Sequence, residues 1–301
     1  MQKPRDLITD LGLLALAVIW GVNFSVVKAV LDFLDPLVLN ALRFPLAAAV
    51  LLVVMLRMPG RPVEPGDRIP LLLLGVLGNV AYQLCFILGI DATLAGNASL
   101  LLATSPVWTV LFSAMVGHEE PNGVVIVGSL STLAGMALVV VGGGAALGWS
   151  WETLRGDALM ILGAVLWAVY TVGSGGYVRK YGAVRVTAWT LWVGTPFLVL
   201  MGVPGLLATD WLGTPFWVWG GVVYAGVLSV GLAYLLWYRG VSRIGNSRTA
   251  IYSNLVPVAA LLTAWLWLGE VPMGLQLSGA AVILGGISLA RWGGARRRVA
   301  G

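Results

Sequence analysis

The chain is poor in the residues from which soluble catalytic sites are built. Its 301 residues include one cysteine, Cys85, and one histidine, His118. A disulfide needs two cysteines and a His/Cys metal cluster needs several such side chains, so both are excluded. Cys85 lies in an apolar run and reads as a small packed side chain. Charge is equally scarce. Asp, Glu, Lys and Arg together make 10% of the sequence, against about a quarter in a soluble domain. No Walker loop and no G-x-S-x-G elbow occur, which removes ATP-driven transport within this chain. Gly142-Gly143-Gly144 ends an apolar run and follows no strand, so it is not a dinucleotide loop. No catalytic residue, cofactor or metal is expected, and the chain does not read as an enzyme.

Apolar residues, by contrast, make 59% of the sequence. A helix crosses a bilayer with about 20 mostly apolar residues. Ten such segments occur, at 7–27, 36–56, 69–90, 94–116, 122–144, 156–177, 183–203, 216–237, 246–268 and 272–291. They are too long and continuous for barrel strands, which run to about ten residues of alternating polarity. Short links rich in Gly, Pro and charge separate them, such as Met58-Pro59-Gly60-Arg61-Pro62. The prediction is an all-α membrane protein with ten transmembrane helices in a single integral membrane domain, 1–301. Lys3 and Arg5 before an apolar run imitate a signal peptide, with Ala15-Leu16-Ala17 as its cleavage site. The run continues to Val27, so it reads as an uncleaved first span.

Lysine and arginine set the orientation. Fifteen fall in the segments on the N-terminal side of the bilayer: Lys3, Arg5, Arg57, Arg61, Arg68, Arg179, Lys180, Arg185, Arg239, Arg243, Arg248, Arg291, Arg296, Arg297 and Arg298. Only Lys28 and Arg155 fall on the other side, and Arg43 lies inside the second span. Positive loops stay in the cytoplasm, so both termini of this multi-pass protein are expected there. The same bias explains the net charge of +5 and leaves no nucleic-acid partner to invoke. Trp149, Trp151, Trp211, Trp217 and Trp219 gather at the predicted outer boundaries and Trp292 at an inner one, as interfacial tryptophans do.

The sequence also repeats itself. At an offset of 151, Pro106 falls on Pro257, Glu119 on Glu270, Pro121 on Pro272, Gly128 on Gly279 and Gly135 on Gly286. Upstream, Gly75 falls on Gly226, Leu84 on Leu235 and Gly89 on Gly240, and Trp20 echoes Trp167 at 147. Repeat one covers about 7–144 and repeat two about 156–291. Five spans per repeat is an odd number, so the second repeat enters from the opposite side. Two inverted five-helix repeats place a binding site near the midplane where they meet.

Polar groups at bilayer depth are costly and face the bundle interior. They are Asn23 and Ser25 in span one, Arg43 in span two, and Asn79, Tyr82 and Gln83 in span three. Span four adds Asn97, Ser99, Thr104, Ser105, Trp108 and Thr109; span six Trp167, Tyr170, Thr171 and Ser174. Span seven has Thr190 and Thr195, span eight Ser229, Tyr234 and Tyr238, and span nine Tyr252, Ser253, Asn254 and Thr263. Spans five and ten are nearly bare and read as packing or dimer helices. Arg43 reads either as the counter-charge for a carboxylate substrate or as an arginine bonded to backbone carbonyls or snorkelling inward. Pro106 and Pro257 free a carbonyl one turn earlier; they read as hinges lining a site or as plain kinks. No Asp or Glu reads as lying inside a span, so no carboxylate proton relay is visible, and His118 sits at a boundary. Glu119 and Glu270 each precede a proline that opens the next helix, and read as partners of that helix's N-terminal dipole. Gly128 with Gly135, and Gly279 with Gly286, mark close-packing helix faces.

The doubled order of mid-span Pro, Glu at the helix end, then Pro and spaced Gly resembles the drug/metabolite transporter superfamily, in particular its EamA-type ten-helix exporters. Ile19-Trp20-Gly21-Val22-Asn23-Phe24 is similar to that family's first-span signature and Leu42-Arg43-Phe44 to its second. Among its members the chain is most similar to bacterial exporters of aromatic and other amino acids. The resemblance implies alternating access around a central cavity bounded by spans such as three, four, eight and nine. The expected function is secondary export of small metabolites, amino acids foremost, by a monomer or homodimer whose partners are the substrate and the lipid bilayer. Tyr82, Trp108, Trp167, Tyr234 and Tyr252 would form aromatic walls. Asn23, Asn79, Gln83, Ser105 and Asn254 would orient amino and carboxylate groups, with Arg43 attracting the latter. A nucleotide-sugar or other drug/metabolite carrier of the same fold is the alternative, and an intramembrane enzyme the alternative from another class.

Overall fold

A computed structural model describes residues 7–58, 60–116, 123–147, 150–244, 249 and 252–300. Among them the chain is helical almost throughout and forms no strand. In order, α1 is Leu7–Leu31, α2 Pro36–Arg57, α3 Pro65–Ala92, α4 Ala95–Met115 and α5 Gly123–Leu147. The second half has α6 Trp151–Tyr181, α7 Ala183–Ala208, α8 Phe216–Gly240 and on to Ile244, α9 Leu255–Leu268 and α10 Gly274–Ala300. Eight of these are long and apolar enough to cross a membrane, and the apolar parts of α9 and α10 are shorter. α5, with 25 residues, rises about 37 Å at 1.5 Å per residue, enough for a hydrocarbon core of about 30 Å. The chain is a multi-span helical membrane protein.

Local chemistry sets the ends. Asp35 caps α2 by accepting from the Leu37 amide at 2.8 Å, with Pro36 as the first helical residue. Ser150 caps α6 through the Thr153 amide at 3.1 Å. Gly182, at φ 83°, turns the chain from α6 into α7, in a backbone region that costs side-chain-bearing residues dearly. Lys180 at the end of α6 reaches Glu64 and Asp67 beside the start of α3, both at 2.7 Å, and Tyr181 hydrogen-bonds Asp67.

The packing has a two-fold pattern. α1 packs on α9, and its counterpart α6 packs on α4; α3 packs on α6, and α8 on α1; α2 packs on α8, and α7 on α3. The longest contact joins α5 to α10. A Cβ on Gly135 would lie 2.8 Å from the Gly279 carbonyl oxygen, and one on Gly279 2.7 Å from that of Gly135. Gly128 and Gly286 stand in the same relation, at 2.6 Å each way. Since 128 meets 286 and 135 meets 279, the two helices run antiparallel. Each glycine meets the partner of its own echo, as a two-fold axis between inverted halves requires. Lipid offers no hydrophobic drive for helices to associate, so close backbone approach supplies the attraction here. These glycine faces are consumed within the chain.

Two expectations are corrected. Glu270 does not cap the helix after Pro272. Its carboxylate crosses to the first half and accepts from the Ala95 and Gly96 amides, at 2.9 and 3.1 Å, at the N-terminus of α4. The dipole argument holds, but the tertiary neighbour outcompetes the sequence neighbour, and α10 opens only at Gly274. Second, a spanning helix does carry a buried carboxylate: Asp157 is 2% exposed, and α6 starts at Trp151 rather than near 156. His118, Glu119 and Pro121, with Lys3, Arg5, Trp149 and Arg248, lie outside the described residues.

Candidate functional site

A different pair of helices related by this two-fold, α3 and α8, is held apart. No extensive packing joins them among the described residues. Each contains a π-helical stretch, Leu77–Ala81 in α3 and Tyr224–Leu232 in α8, at positions that correspond under the 151-residue offset. A π turn inserts one residue into the hydrogen-bond ladder, widens the helix and frees backbone carbonyls. Small residues seat these bulges against their neighbours. A Cβ on Gly226 would lie 2.6 Å from the Arg43 carbonyl oxygen, and one on Gly75 2.9 Å from that of Thr190. The Gly75/Gly226 echo is therefore the packing of each bulged helix on α7 or α2.

Arg43 lies beside this gap, 3% exposed. Its Nε donates to Asn40 Oδ1 at 3.0 Å, and Nη2 to Gln83 Oε1 at 3.0 Å. Phe86 and Phe44 flank the guanidinium, with ring centroids 5.3 and 5.4 Å from Cζ. An arginine has five N–H donors, and these two bonds leave three without an acceptor among the described residues. Nor is a carboxylate paired with it among them; the ion pairs there belong to Lys180. Of the two readings the sequence left open, backbone carbonyls do not take this arginine up. A buried cation held in place by neutral side chains, with donors to spare, has the chemistry to receive an anion.

Aromatic rings continue the site. The Tyr82 ring lies 5.1 Å from that of Trp167, which lies 5.4 Å from Tyr170. Opposite, Tyr234 stacks on Tyr238 at 6.3 Å and meets Trp20 edge-on at 6.1 Å. Tyr234 is within electrostatic reach of Tyr82, Tyr170 and Tyr238, and Arg43 of Tyr82. Tyr170 bonds Thr190 Oγ1 at 3.0 Å, and Tyr238 bonds Thr187. By contrast, no hydrogen bond is formed among the described residues by the Tyr82 and Tyr234 hydroxyls or the Asn79 amide. Asn23, 8% exposed, has an Oδ1 without a partner.

The structure thus brings together Arg43, Gln83, Tyr82, Trp167 and Tyr234. It does not bring the others to them by any described contact. Trp108 gives Nε1 to Thr104 on its own helix at 3.2 Å, and Ser105 bonds the Leu102 carbonyl at 2.6 Å. Tyr252 bonds Asp10 at 2.8 Å, and Asn254 faces Ser288 of α10 at 3.5 Å. The Pro106 and Pro257 helices break as a pair. α4 is interrupted at Ala103-Thr104 and resumes at Ser105, while the helix before α9 is interrupted at Ser253-Asn254. Each proline then occupies the first turn of the resumed helix, where its missing N–H costs nothing. Asn40 and Phe86 are not singled out from sequence, while Tyr170 and Tyr238 count there as interior polar residues and Trp20 as part of the echo, none of them as site residues. Asn40 had a signal, three residues before Arg43 on the same helix face.

Inverted helical halves, a pair of broken helices and a polar cluster at their meeting point define a membrane carrier. Comparison with known proteins names the group. The EamA-like transporter family matches residues 7–141 and again 154–292, and the chain belongs to that family. A probable terminal-alkyne amino-acid exporter of Streptantibioticus cattleyicolor is 29% identical over 278 residues, covering 92% of this chain and 91% of its own. A probable amino-acid metabolite efflux pump of Salmonella typhimurium is 29% identical over 310 residues, covering 96% and 97%. An uncharacterized transporter of Archaeoglobus fulgidus is 31% identical, covering 93% and 96%. One crystal structure shares the fold at a TM-score of 0.66, with 22% identity over 97% of this chain and 98% of its own.

Proposed function

We propose that the protein exports small zwitterionic metabolites, amino acids with aromatic or other apolar side chains foremost, across the bacterial inner membrane. The observation that carries this reading is Arg43, a buried guanidinium with three unused N–H donors and no carboxylate partner among the described residues. A substrate carboxylate completes it. The Tyr82 and Tyr234 hydroxyls suit an ammonium group, and the faces of Tyr82, Trp167 and Tyr234 suit both cation and apolar side chain. The relatives described as amino-acid exporters support the same substrate class. The halves rock about the midplane, and the breaks at Pro106 and Pro257 absorb part of the change. Both termini face the cytoplasm, as the lysine and arginine distribution requires. A nucleotide sugar needs several cations for its phosphates, and this cluster supplies one.

Purified protein in liposomes should exchange labelled amino acids, and zwitterionic ligands should compete where phosphorylated ones do not. Absence of flux for every amino acid overturns this substrate class. Labelling of single cysteines placed at either terminus, in intact cells, checks the orientation.

A further inference from the structure

At one end of the bundle a second polar cluster joins the two halves, and the substrate site does not use it. Asp157 lies six residues into α6, about 9 Å along its axis. Its Oδ1 accepts from Thr93 Oγ1 at 2.6 Å, while Oδ2 is buried without a partner. The side chain alongside is Asn97 of α4, which is fully buried. Its Oδ1 accepts from Gln276 Nε2 of α10 at 2.7 Å, and Gln276 in turn accepts from the Met273 amide at 2.7 Å. This leaves Asn97 Nδ2 buried and idle. An acceptor on one half and a donor on the other thus stand within reach of each other, short of good hydrogen-bond geometry.

The charged groups around Asp157 are engaged elsewhere or exposed. Lys28 of α1 gives its ammonium to the Ile90 and Asp91 carbonyl oxygens, at 3.0 and 2.5 Å. Glu270 is held by the Ala95 and Gly96 amides. Asp91 on α3, and Glu152 and Arg155 on α6 itself, are exposed. Beyond Asn97 stand Gly143 of α5 and the neutral Gln276 of α10. An ionised carboxylate buried without a cation is costly, and a neutral acid is not.

We propose that Asp157 is a proton-binding site coupled to transport. Burial at 2% exposure with no cation bonded to it favours the neutral acid at Asp157. Loss of the proton leaves a carboxylate whose nearest idle donor is Asn97 Nδ2, and that bond draws α4 onto α6. Proton occupancy and the packing of this end are then linked: each biases the other. A membrane-embedded carboxyl that changes charge state with conformation is what a proton-coupled carrier requires.

Two experiments decide it. Dicyclohexylcarbodiimide, which attacks protonated carboxyls in apolar surroundings, is applied to the wild-type protein in lipid over a range of pH, and adducts are located by peptide mass spectrometry. Modification at Asp157 that falls several-fold as pH rises is expected. No adduct there at any pH, or one independent of pH, overturns the proposal. The second rests on amino-acid transport. Wild-type flux of a neutral amino acid should rise when a pH gradient is imposed, and Asp157→Asn flux should be the same with and without it. A purely structural role lowers the melting temperature of Asp157→Asn and leaves its gradient response intact, which also overturns the proposal. If no amino acid moves through the wild type, the substrate reading fails, and the labelling still decides Asp157.

Discussion

Two pairs of helices straddle the same two-fold relation and are built in opposite ways. α5 and α10 meet backbone to backbone through Gly128, Gly135, Gly279 and Gly286. α3 and α8 are kept apart, each carries a π-helical stretch, and the residues between them keep unused hydrogen-bonding groups. The inverted repeat supplies matching positions to both pairs, and residue choice decides which pair becomes a seam and which a site. Small residues with no polar side chain let two helices close. Beside the open pair stand an arginine, tyrosines and an inserted residue in each helix. Stability and function are therefore separable along the chain, and substitutions should move one without the other.

The largest effect is expected in the seam. Gly135→Val places a branched side chain where a Cβ would already lie 2.8 Å from the Gly279 carbonyl oxygen. No rotamer relieves a contact with backbone, so the helices must separate, at a cost of about 1–3 kcal/mol or more. Thermal melting in detergent should show a large loss, while whatever protein remains folded binds substrate normally. Normal melting would show that the seam is not where the fold is held. Next comes Arg43→Gln, with the opposite split. Charge-assisted hydrogen bonds contribute about 1.5–3 kcal/mol, so substrate affinity should fall about tenfold or more. The melting temperature should hold or rise, because a buried charge without a counter-charge has been removed. Arg43→Lys should not rescue binding, since an ammonium cannot present the guanidinium's planar fork.

The seam was legible in the sequence and the gap was not. Gly128, Gly135, Gly279 and Gly286 announce themselves by spacing and echo, and a one-face glycine pattern has few other uses in an apolar helix. The π stretches carry no such mark. Leu77–Ala81 and Tyr224–Leu232 contain no proline; the extra residue in each ladder accompanies packing at Gly75 and Gly226, and only the folded register reveals it. Arg43 and Gln83 stand out as polar residues in apolar runs, but that one bonds the other depends on how α2 lies on α3. Asp157 escaped because the span was started near 156, which leaves it at a boundary; helix α6 begins at Trp151, and the same aspartate is more than a turn inside. Thr93, its donor, lay one residue short of span four for the same reason. Glu270 was assigned to the nearest helix in sequence, whereas the nearest in space belongs to the other half.

A smaller effect tests the far wall of the gap. Tyr82→Phe and Tyr234→Phe each remove a hydroxyl that bonds nothing among the described residues and leave the ring in place. Stability should be unchanged. Binding of a zwitterion should weaken by about 0.5–1.5 kcal/mol per hydroxyl that contacts it, while a substrate analogue lacking the ammonium group should be indifferent. Isothermal titration with the two ligands separates these cases. Equal losses for both would mean that the hydroxyls shape the wall rather than bind the ammonium. Tyr170→Phe serves as the contrast, because its hydroxyl is already bonded to Thr190 and its loss should register in stability instead.

The smallest effect is the sharpest test of the seam, because it compares adjacent residues. Gly285 and Gly286 are neighbours on α10, and their Cα–Cβ directions differ by about 100° around the helix. A Cβ on Gly286 would meet Thr132 Oγ1 at 2.5 Å and the Gly128 carbonyl oxygen at 2.6 Å. One on Gly285 would meet nothing within 4 Å. Gly286→Ala should therefore destabilise through backbone contact. Gly285→Ala should be neutral or stabilising by a few tenths to about 1 kcal/mol, since alanine loses less conformational freedom than glycine in a helix. The pair shares sequence context, depth in the bilayer and substitution chemistry, so only the direction each residue faces distinguishes them. Equal melting temperatures for the two variants would mean that α5 and α10 do not cross at these glycines, and the antiparallel seam would have to be redrawn.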